Sequence, residues 1–241
     1  MQTASSSSRA GGGNQVKRPG ARTVNRQVLA DHVYEELLAA LMDGRLEPGA
    51  VVSIDGTARE LDVSPTPVRE ALARLEHTGM VRRVALKGYR VAPMFTREDF
   101  AELMEARLAI EPVNARLACS RITPDRLGAL EEAVAAQATA PRGPSFLEYK
   151  DYLEADERFH QLIAQQTGNQ FLVAAYAALG GQVQRFRLFG GVGITDAEPA
   201  IAEHRAVLDA LASGDPARAE AAMADHVQRV RARAMADAPA E

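Results

Sequence analysis

Large apolar residues recur at helical spacing where the chain first carries a regular pattern. Residues 24–43 place them on one stripe, which predicts an amphipathic helix that Gly44 ends. The stripe consists of Leu29, Val33, Leu37, Leu38 and Leu41. Residues 1–23 are instead rich in Ser, Gly and Arg and have almost no large apolar side chains. Such a segment cannot bury enough surface to offset its ordering entropy, so we expect a disordered tail there.

Shorter patterns follow up to residue 93. Residues 46–54 predict a turn and a short extended segment, residues 56–64 a short helix, and residues 64–78 a second helix that stops at Gly79. Valines then alternate with arginines over 81–91 around a tip at 86–88. The alternation is imperfect, because Arg82 and Arg83 are adjacent, but it is typical of a half-buried β-hairpin.

The rest of the chain predicts helices only. Thr96 is a good helix N-cap, with acidic residues in the turn that follows it. Further helices are expected near 124–139, 145–167, 169–188, 196–213 and 215–236, separated by Pro- and Gly-containing breaks. The predicted fold is therefore mainly α: an N-terminal winged helix-turn-helix with a small β-hairpin wing, and a C-terminal all-α antiparallel helical bundle. We expect domains over 24–93 and 96–236, with a short tail over 237–241.

Composition excludes several classes of protein. The apolar fraction of 46% and the charged fraction of 25% are ordinary for a globular chain. Cys119 is the single cysteine and lies in an apolar helical pattern, so we expect a packing residue rather than a nucleophile. No segment is long and apolar enough for a membrane span, and the N-terminus lacks the apolar region of a secretory signal. We therefore expect a cytoplasmic protein.

Charge is distributed unevenly between the two predicted domains. Residues 1–95 contain 13 Lys and Arg against 10 Asp and Glu, whereas residues 96–241 contain 15 against 22. The net charge of −4 thus combines a mildly basic N-terminal segment, at the front of the chain, with an acidic C-terminal segment. A polyanionic partner is expected at the front, although a difference of this size is weak by itself.

The helix after residue 64 has the features of a DNA-reading helix. Ser64 is a good N-cap, and Pro65 and Pro67 fall in the first turn, where backbone amides have no partner within the helix. This rigid start presents Ser64, Thr66 and Arg69, and Arg69 can bind guanine or phosphate with two hydrogen bonds. We include Pro67 in the same candidate surface. A plain capped surface helix is the alternative.

The hairpin supplies a second set of candidate DNA contacts. Lys87 and Arg90 flank Gly88 at its tip, and the glycine lets the backbone approach a groove or a phosphate closely. The alternative is an ordinary surface hairpin with solvated arginines. The hairpin and the preceding helix together favour binding to double-stranded DNA.

Residues 27–93 resemble the winged helix-turn-helix of GntR-family regulators. The resemblance is carried by Leu46-Glu47-Pro48-Gly49 and by Val63-Ser64-Pro65-Thr66-Pro67-Val68-Arg69-Glu70-Ala71-Leu72, followed by Leu75, Gly79 and Gly88. Two positions differ from the family pattern: Pro65 stands where an Arg is common, and Asp55 where some members have a base-contacting Arg. The operator sequence therefore cannot be copied from a relative. Arg59 is a candidate substitute contact to phosphate, with a solvated helix face as its alternative.

Three histidines in the second half suggest a metal site. Asp156 and His160 are four residues apart, so both lie on one helical face. His204 and His226 fall on two later predicted helices, and four ligands from three helices can converge in a bundle core. From spacing alone, isolated surface or core histidines are the more common outcome.

Residues 97–236 resemble the FCD ligand-binding domain of the FadR-type branch of GntR regulators. The carrying pieces are Glu105-Ala106-Arg107 with Glu111, Asp156 to His160, Gly168-Asn169, Glu203-His204-Arg205, and Gly214-Asp215 to His226. The resemblance implies a divalent metal held by Asp156, His160, His204 and His226. It also implies a small organic-acid effector with Arg107 nearby, and a homodimer. Zn²⁺ is the first choice for the metal, and Ni²⁺ or Mn²⁺ are possible.

Together these features predict a DNA-binding transcription regulator, not an enzyme. A small carboxylate bound at the metal-containing domain would control operator affinity. We class it as a repressor, although the sequence does not give the sign of the ligand response. A metal-dependent hydrolase fused to a DNA-binding module is the main alternative, since three His and one Asp can activate water. A helical interaction protein without DNA binding is a third, and it leaves the helix after Ser64 and the basic wing unexplained.

Overall fold

A computed structural model of the chain describes residues 20–85, 88–187 and 196–237. Residues 1–19 of the predicted tail, Lys87 of the wing, the break at Gly190 to Gly193 and residues 238–241 lie outside this range. Helices dominate the described part, with three short strands near its start. The elements are α1 (Gly20–Met42), β1 (Val51–Val52), α2 (Ile54–Glu60), α3 (Pro65–His77), β2 (Val81–Val84), β3 (Gly88–Val91), α4 (Arg97–Cys119), α5 (Pro124–Thr139), α6 (Phe146–Gln166), α7 (Gln170–Arg187), α8 (Ala197–Ala212) and α9 (Pro216–Asp237).

The N-terminal domain is built around α1 and α3. Their apolar stripes pack against each other, and Val33, Leu72 and Leu75 are all fully buried. The helix α1 begins at Gly20, four residues before the predicted start at Val24, because no helix breaker separates the two positions. It ends before Gly44, which has the left-handed φ of +71° expected of a C-terminal glycine.

The short helix α2 is shifted from its predicted position over 56–64. It begins at Ile54, because the Ser53 side chain accepts a hydrogen bond from the Gly56 amide at 3.1 Å. It ends at Glu60, because Asp62 adopts a left-handed φ of +51° and turns the chain towards α3. The turn fixes how the start of α3 stands out from the domain.

The wing is a three-stranded antiparallel sheet in the order β1-β3-β2. The predicted hairpin forms, with Val81 opposite Val91, and the predicted extended segment joins it as β1. Val81 and Val91 are buried, whereas Arg82 and Arg83 face outwards. The sheet therefore packs one side on the helices and leaves a basic side exposed.

The helices α4 to α9 form the C-terminal bundle. The contacts are most extensive between α4 and α9 and between α5 and α6. Thr96 opens α4 with a capping box to Asp99, whose amide donates to Thr96 Oγ1 at 3.0 Å. Cys119 is buried and its Sγ lies 3.7 Å from the Leu211 carbonyl oxygen, which confirms it as a packing residue. The predicted mainly helical fold is confirmed.

Contacts among the described residues join the bundle to the N-terminal domain. Asp43, just after α1, accepts a hydrogen bond from the Phe146 amide at the start of α6, at 2.7 Å. Lys150 on α6 pairs with Glu35 on α1 at 3.0 Å. At the end of α3, Gly79 lies so close to Gln182 on α7 that a β-carbon there would stand 2.7 Å from Gln182 Nε2. The two domains are thus connected mainly through α6.

Within the described ranges, no helix combines the length and the apolar character needed to cross a membrane.

Candidate metal centre and DNA-reading surface

Three histidines meet in the interior of the bundle. His160 comes from α6, His204 from α8 and His226 from α9, and each is at most 3% exposed. One ring nitrogen from each lies within 4.8 Å of the others. The Nε2 atoms of His204 and His226 are 3.3 Å apart. The sequence placed these residues on separate helices, and the fold brings them together.

A buried glutamine fixes the orientation of His204. Its Nδ1 lies 2.7 Å from Gln137 Oε1, and Gln137 Nε2 donates to Asp156 Oδ1 at 2.9 Å. Because the amide oxygen can only accept, Nδ1 carries the proton and Nε2 keeps its lone pair. The ring of Phe159 stacks on His204 at 4.5 Å. His204 therefore presents Nε2 as a ligand atom.

Glu203 has the same role for His226. Its Oε2 lies 3.0 Å from His226 Nδ1, and Arg233 holds both carboxylate oxygens at 2.6 and 3.0 Å. Burial alone would raise the pKa of Glu203, but the hydrogen bonds from His226 and Arg233 lower it to about 2. The carboxylate stays charged, which orients His226 with its Nε2 free to bind.

His160 provides the clearest sign of a ligand-binding atom. Its Nδ1 lies 2.7 Å from Glu111 Oε2, while its Nε2 is buried without a hydrogen-bond partner among the described residues. Buried ring nitrogens are normally paired, so an unpaired Nε2 on a histidine that shares a cluster with His204 and His226 calls for an external partner. In tetrahedral zinc sites, two imidazole nitrogens lie roughly 3.3–3.4 Å apart. The 3.3 Å between His204 and His226 fits that spacing.

Asp156 is the remaining predicted ligand. Its side chain is 11% exposed, and Oδ1 lies 3.9 Å from His204 Nε2. The carboxylate thus stands beside the histidines and is held by Gln137. Three imidazoles and a carboxylate are a donor set that divalent transition metals prefer, so the residues present could hold such an ion.

Arg107, the predicted effector contact, lies in the same interior. It is 4% exposed and forms a salt bridge with Glu111, one turn further along α4. The buried Arg107 guanidinium is thus paired within its own helix. Burial raises the pKa of Glu111, but Arg107 and His160 outweigh it and hold that pKa well below its usual range.

Two further titratable groups lie next to these residues. The Tyr176 hydroxyl on α7 donates to Glu157 Oε2 at 3.2 Å, and its ring stacks near that of His160. Burial raises the pKa of Glu157 to about 7. The bundle interior around the histidines is therefore polar and largely buried.

Sequence reasoning missed the residues that orient the histidines. Glu111 and Glu203 stood within the motifs that carry the resemblance, but nothing assigned them to a particular ring. Gln137 lies in an Ala-rich helix, and no spacing rule connects it to His204, 67 residues away. Only the packing of α5 against α8 brings it there.

The start of α3 forms an exposed polar surface. Ser64 is the N-cap, and its side chain makes no capping hydrogen bond, so it is available to a partner. Thr66 and Arg69 are exposed beside it. Pro67 is buried, and this corrects its inclusion in the surface: its ring faces the domain interior because it shares the inner side of α3 with Val68.

The other candidate DNA contacts differ in how exposed they are and in whether they already have a partner. Arg59 on α2 is exposed and borders a groove beside the start of α3. Gly88 is exposed with φ of +79°, as a tight tip requires. Arg90 is half-buried and donates to the Gly49 carbonyl at 2.8 Å, so it holds the turn before β1. Lys87 lies outside the described residues.

The fold is similar to that of a solved E. coli protein. The structure of E. coli McbR/YncC matches with a TM-score of 0.67 over 86% of this chain and 96% of that one, at 22% identity. At this identity the likeness concerns the fold.

The curated relatives are named as transcription regulators. The "Probable D-xylose utilization operon transcriptional repressor" of Paenarthrobacter nicotinovorans is 28% identical, over 86% of this chain and 89% of its own. The "HTH-type transcriptional repressor RspR" of Escherichia coli strain K12 is 27% identical, over 85% and 88%. These relatives are transcription regulators rather than enzymes.

Two family models match separate parts of the chain. The model for bacterial regulatory proteins of the gntR family matches residues 29–91, which include α2, α3 and the wing. The FCD domain model matches residues 102–229, more than half of the chain, and that range includes the three histidines and Asp156. The chain belongs to the GntR family of transcriptional regulators and combines a GntR DNA-binding domain with an FCD domain.

Proposed function

We propose that this regulator is a homodimeric repressor whose operator affinity is controlled by a small organic acid bound at a divalent metal in the FCD domain. The observation that carries the proposal is the convergence of His160, His204 and His226, each with its Nδ1 beside a polar partner and with one ring nitrogen of each within 4.8 Å of the others. Such outer partners are typical of metal-binding histidines. We place the domain division between Pro93 and Thr96.

The DNA-reading surface consists of the start of α3 with α2 and the wing. Ser64, Thr66 and Arg69 contact base edges and phosphates in the major groove, and Arg59 contacts a neighbouring phosphate. Gly88 and Lys87 at the wing tip approach the adjacent backbone. Arg90 acts indirectly, since its side chain holds the turn at Gly49.

The metal ligands are His160, His204, His226 and Asp156. Zn²⁺ fits this donor set, and Ni²⁺ or Mn²⁺ are alternatives. When bound, the ion supplies positive charge that attracts an anionic oxygen in a bundle that is otherwise acidic. The residues around the histidines orient the imidazole rings so that a ring nitrogen of each is available to the ion.

The effector is a small carboxylate. Arg107 is buried next to the histidines, but Glu111 already neutralises it. The metal therefore provides most of the attraction for the acid. Arg107 orients the carboxylate while it keeps its bond to Glu111.

The helix α6 transmits the binding event. It carries two of the four metal ligands, Asp156 and His160, and its N-terminus is held by Asp43 of the DNA-binding domain. A shift of α6 on acid binding therefore moves the DNA-binding domain that carries α3. Coupling between two sites is typically worth about 1–3 kcal/mol.

Repression and dimerisation rest on the relatives and on operator geometry. Both relatives described above are named repressors. Helix-turn-helix dimers read two half-sites about one helical turn apart, so a small rotation of the heads weakens binding strongly.

The test is a binding assay on DNA from upstream of the regulator's own gene. Zinc-loaded protein should retard one fragment, and a panel of acetate, lactate, citrate and gluconate should contain an acid that releases it. His204→Ala should bind the same fragment without responding to any acid. Acid-induced release that persists in this variant would refute the metal-assisted mechanism. The absence of any retarded fragment would refute the DNA-binding assignment.

A further inference from the structure

Asn114 on α4 is a buried carboxamide without a partner. Its side chain is 1% exposed, and neither Nδ2 nor Oδ1 has a hydrogen-bond partner in the described part of the chain. A carboxamide offers two donors and an acceptor, and nearly all such buried groups in proteins are satisfied. With no partner among the described residues, the amide is open to a molecule from outside the chain.

The position of Asn114 is close to the histidine cluster. It follows Glu111 by three residues on the buried side of α4, and residues at this spacing have Cβ atoms about 5–6 Å apart. Glu111 in turn lies 2.7 Å from His160 Nδ1. Asn114 is therefore one helical turn from the outer partner of His160, on the side opposite Arg107.

The packing of α9 against α4 also places Asn114 near the histidine cluster. Arg116 on α4 pairs with Glu220 on α9 at 3.3 Å, while Glu111 lies close enough to His226 to act on it electrostatically. The two helices are therefore antiparallel. Asn114 falls at the level of Met223, one turn before His226, and Met223 is buried and apolar. A buried, unpaired amide thus lies at the level of a buried apolar residue, one turn from a proposed metal ligand.

We infer that Asn114 determines the specificity of the effector site by binding a neutral hydroxyl or carbonyl group of the organic acid. The inference rests on the proposed function, because it requires an acid bound at the histidine cluster. The carboxylate of the acid lies towards the metal and Arg107, and its second polar group reaches Asn114. The effector is then a small hydroxy acid or oxo acid. A second carboxylate at Asn114 is disfavoured, because the amide is uncharged and Glu111 is negative.

The test compares matched pairs of acids on the zinc-loaded full-length protein. Lactate and propionate, 3-hydroxybutyrate and butyrate, and gluconate and hexanoate differ chiefly in their hydroxyl groups. Thermal shift and calorimetry give an affinity for each acid. The wild type should bind the hydroxylated member of at least one pair roughly threefold to tenfold more tightly, as one net hydrogen bond provides.

Asn114→Leu is the main variant. It has the same number of side-chain heavy atoms in the same branched arrangement and removes the unpaired amide, so without acid it should melt at or above the wild-type temperature. It should keep zinc binding, bind propionate and butyrate as before, and lose the preference for hydroxyl groups. Asn114→Ser retains a hydrogen-bonding group, so part of the preference should return, and this variant keeps the test valid if the leucine does not fold.

Each result bears on one of the two claims. A hydroxyl preference that persists in Asn114→Leu, or its absence in the wild type, overturns the inference and leaves the metal-assisted sensor standing. A lower melting temperature of the acid-free Asn114→Leu protein, with the preference intact, would mean that Asn114 holds a structural water instead. If no acid in the panel binds the zinc-loaded wild type, the proposed effector class is wrong, and the inference fails with it.

Discussion

The two candidate sites of this regulator are built in opposite ways. At the start of α3, Ser64, Thr66 and Arg69 are exposed. In the bundle, the three histidines and Arg107 are almost fully buried, and Gln137, Glu203 and Glu111 lie beside the rings. A surface that meets DNA must exchange water and counterions for phosphates, whereas a buried centre keeps its outer polar groups paired and leaves its ligand atoms to an incoming partner. Substitutions at the two sites should therefore impair different properties of the protein.

The largest effect is expected at the buried centre. His204→Ala removes one of the proposed metal ligands and should weaken zinc binding by more than about a hundredfold. The melting temperature should then no longer rise with zinc. A competitive zinc-dye titration measures this. His77→Ala, at an exposed histidine at the end of α3, is the control and should bind zinc like the wild type. Equal zinc affinity in the two variants would contradict the proposed centre.

The outer partner Gln137 should have the next largest effect. Gln137→Leu removes the acceptor for His204 Nδ1 and the donor to Asp156, so both proposed ligands lose their orientation. We expect zinc affinity to fall by roughly 10–100-fold. Gln165→Leu, at an exposed position on α6, provides the comparison in the same dye titration. If only Gln165→Leu weakened zinc binding, Gln137 would have no role at the centre.

At the exposed site, Arg69→Ala should weaken operator binding by about 1–3 kcal/mol if the guanidinium reads a base. Fluorescence anisotropy with labelled operator measures the loss, and zinc binding should not change. Arg205→Ala removes an exposed arginine from the bundle and serves as the control. The slope of operator affinity against salt should be steep for the wild type, because phosphate contacts release counterions. A flat slope would remove the electrostatic part of the proposal.

The smallest effect is expected at the contact between the two regions. Asp43→Ala removes the acceptor for the Phe146 amide and should lower the free energy of unfolding by about 1 kcal/mol, as the loss of a helix cap does. It should also reduce the response of operator affinity to acid while leaving acid affinity unchanged within a factor of a few. Denaturant unfolding and anisotropy measure the two effects. Asp151→Ala, exposed on α6, should show neither.

Sequence patterns gave the elements of both regions because local rules decide them. The predicted helix over 124–139 coincides with α5, since Thr123 caps it and Pro124 occupies its first position. The ends of α2 were misplaced, because the left-handed conformation of Asp62 is set by the turn to α3. Pro67 was placed on the wrong side of α3, since a rigid first turn does not reveal which side faces the core.

The polar shell of the metal centre was beyond local rules. Asp156 and His160 share one helix, so their spacing was informative. Gln137 and His204 belong to different helices, and only tertiary packing determines that they meet. Asn114 illustrates the same limit, because a single polar residue in an apolar helix pattern does not show whether it is buried or paired.

The most direct test of the account measures the coupling between its two sites in both directions. Operator affinity is measured for zinc-loaded protein with and without the acid that gives the largest thermal shift in the panel. The affinity for that acid is then measured with and without operator DNA. The account predicts that both ratios exceed about fivefold and agree, because linkage requires equal coupling. Two ratios of one, for a protein that binds both zinc and the acid, would contradict control of DNA binding by the metal centre.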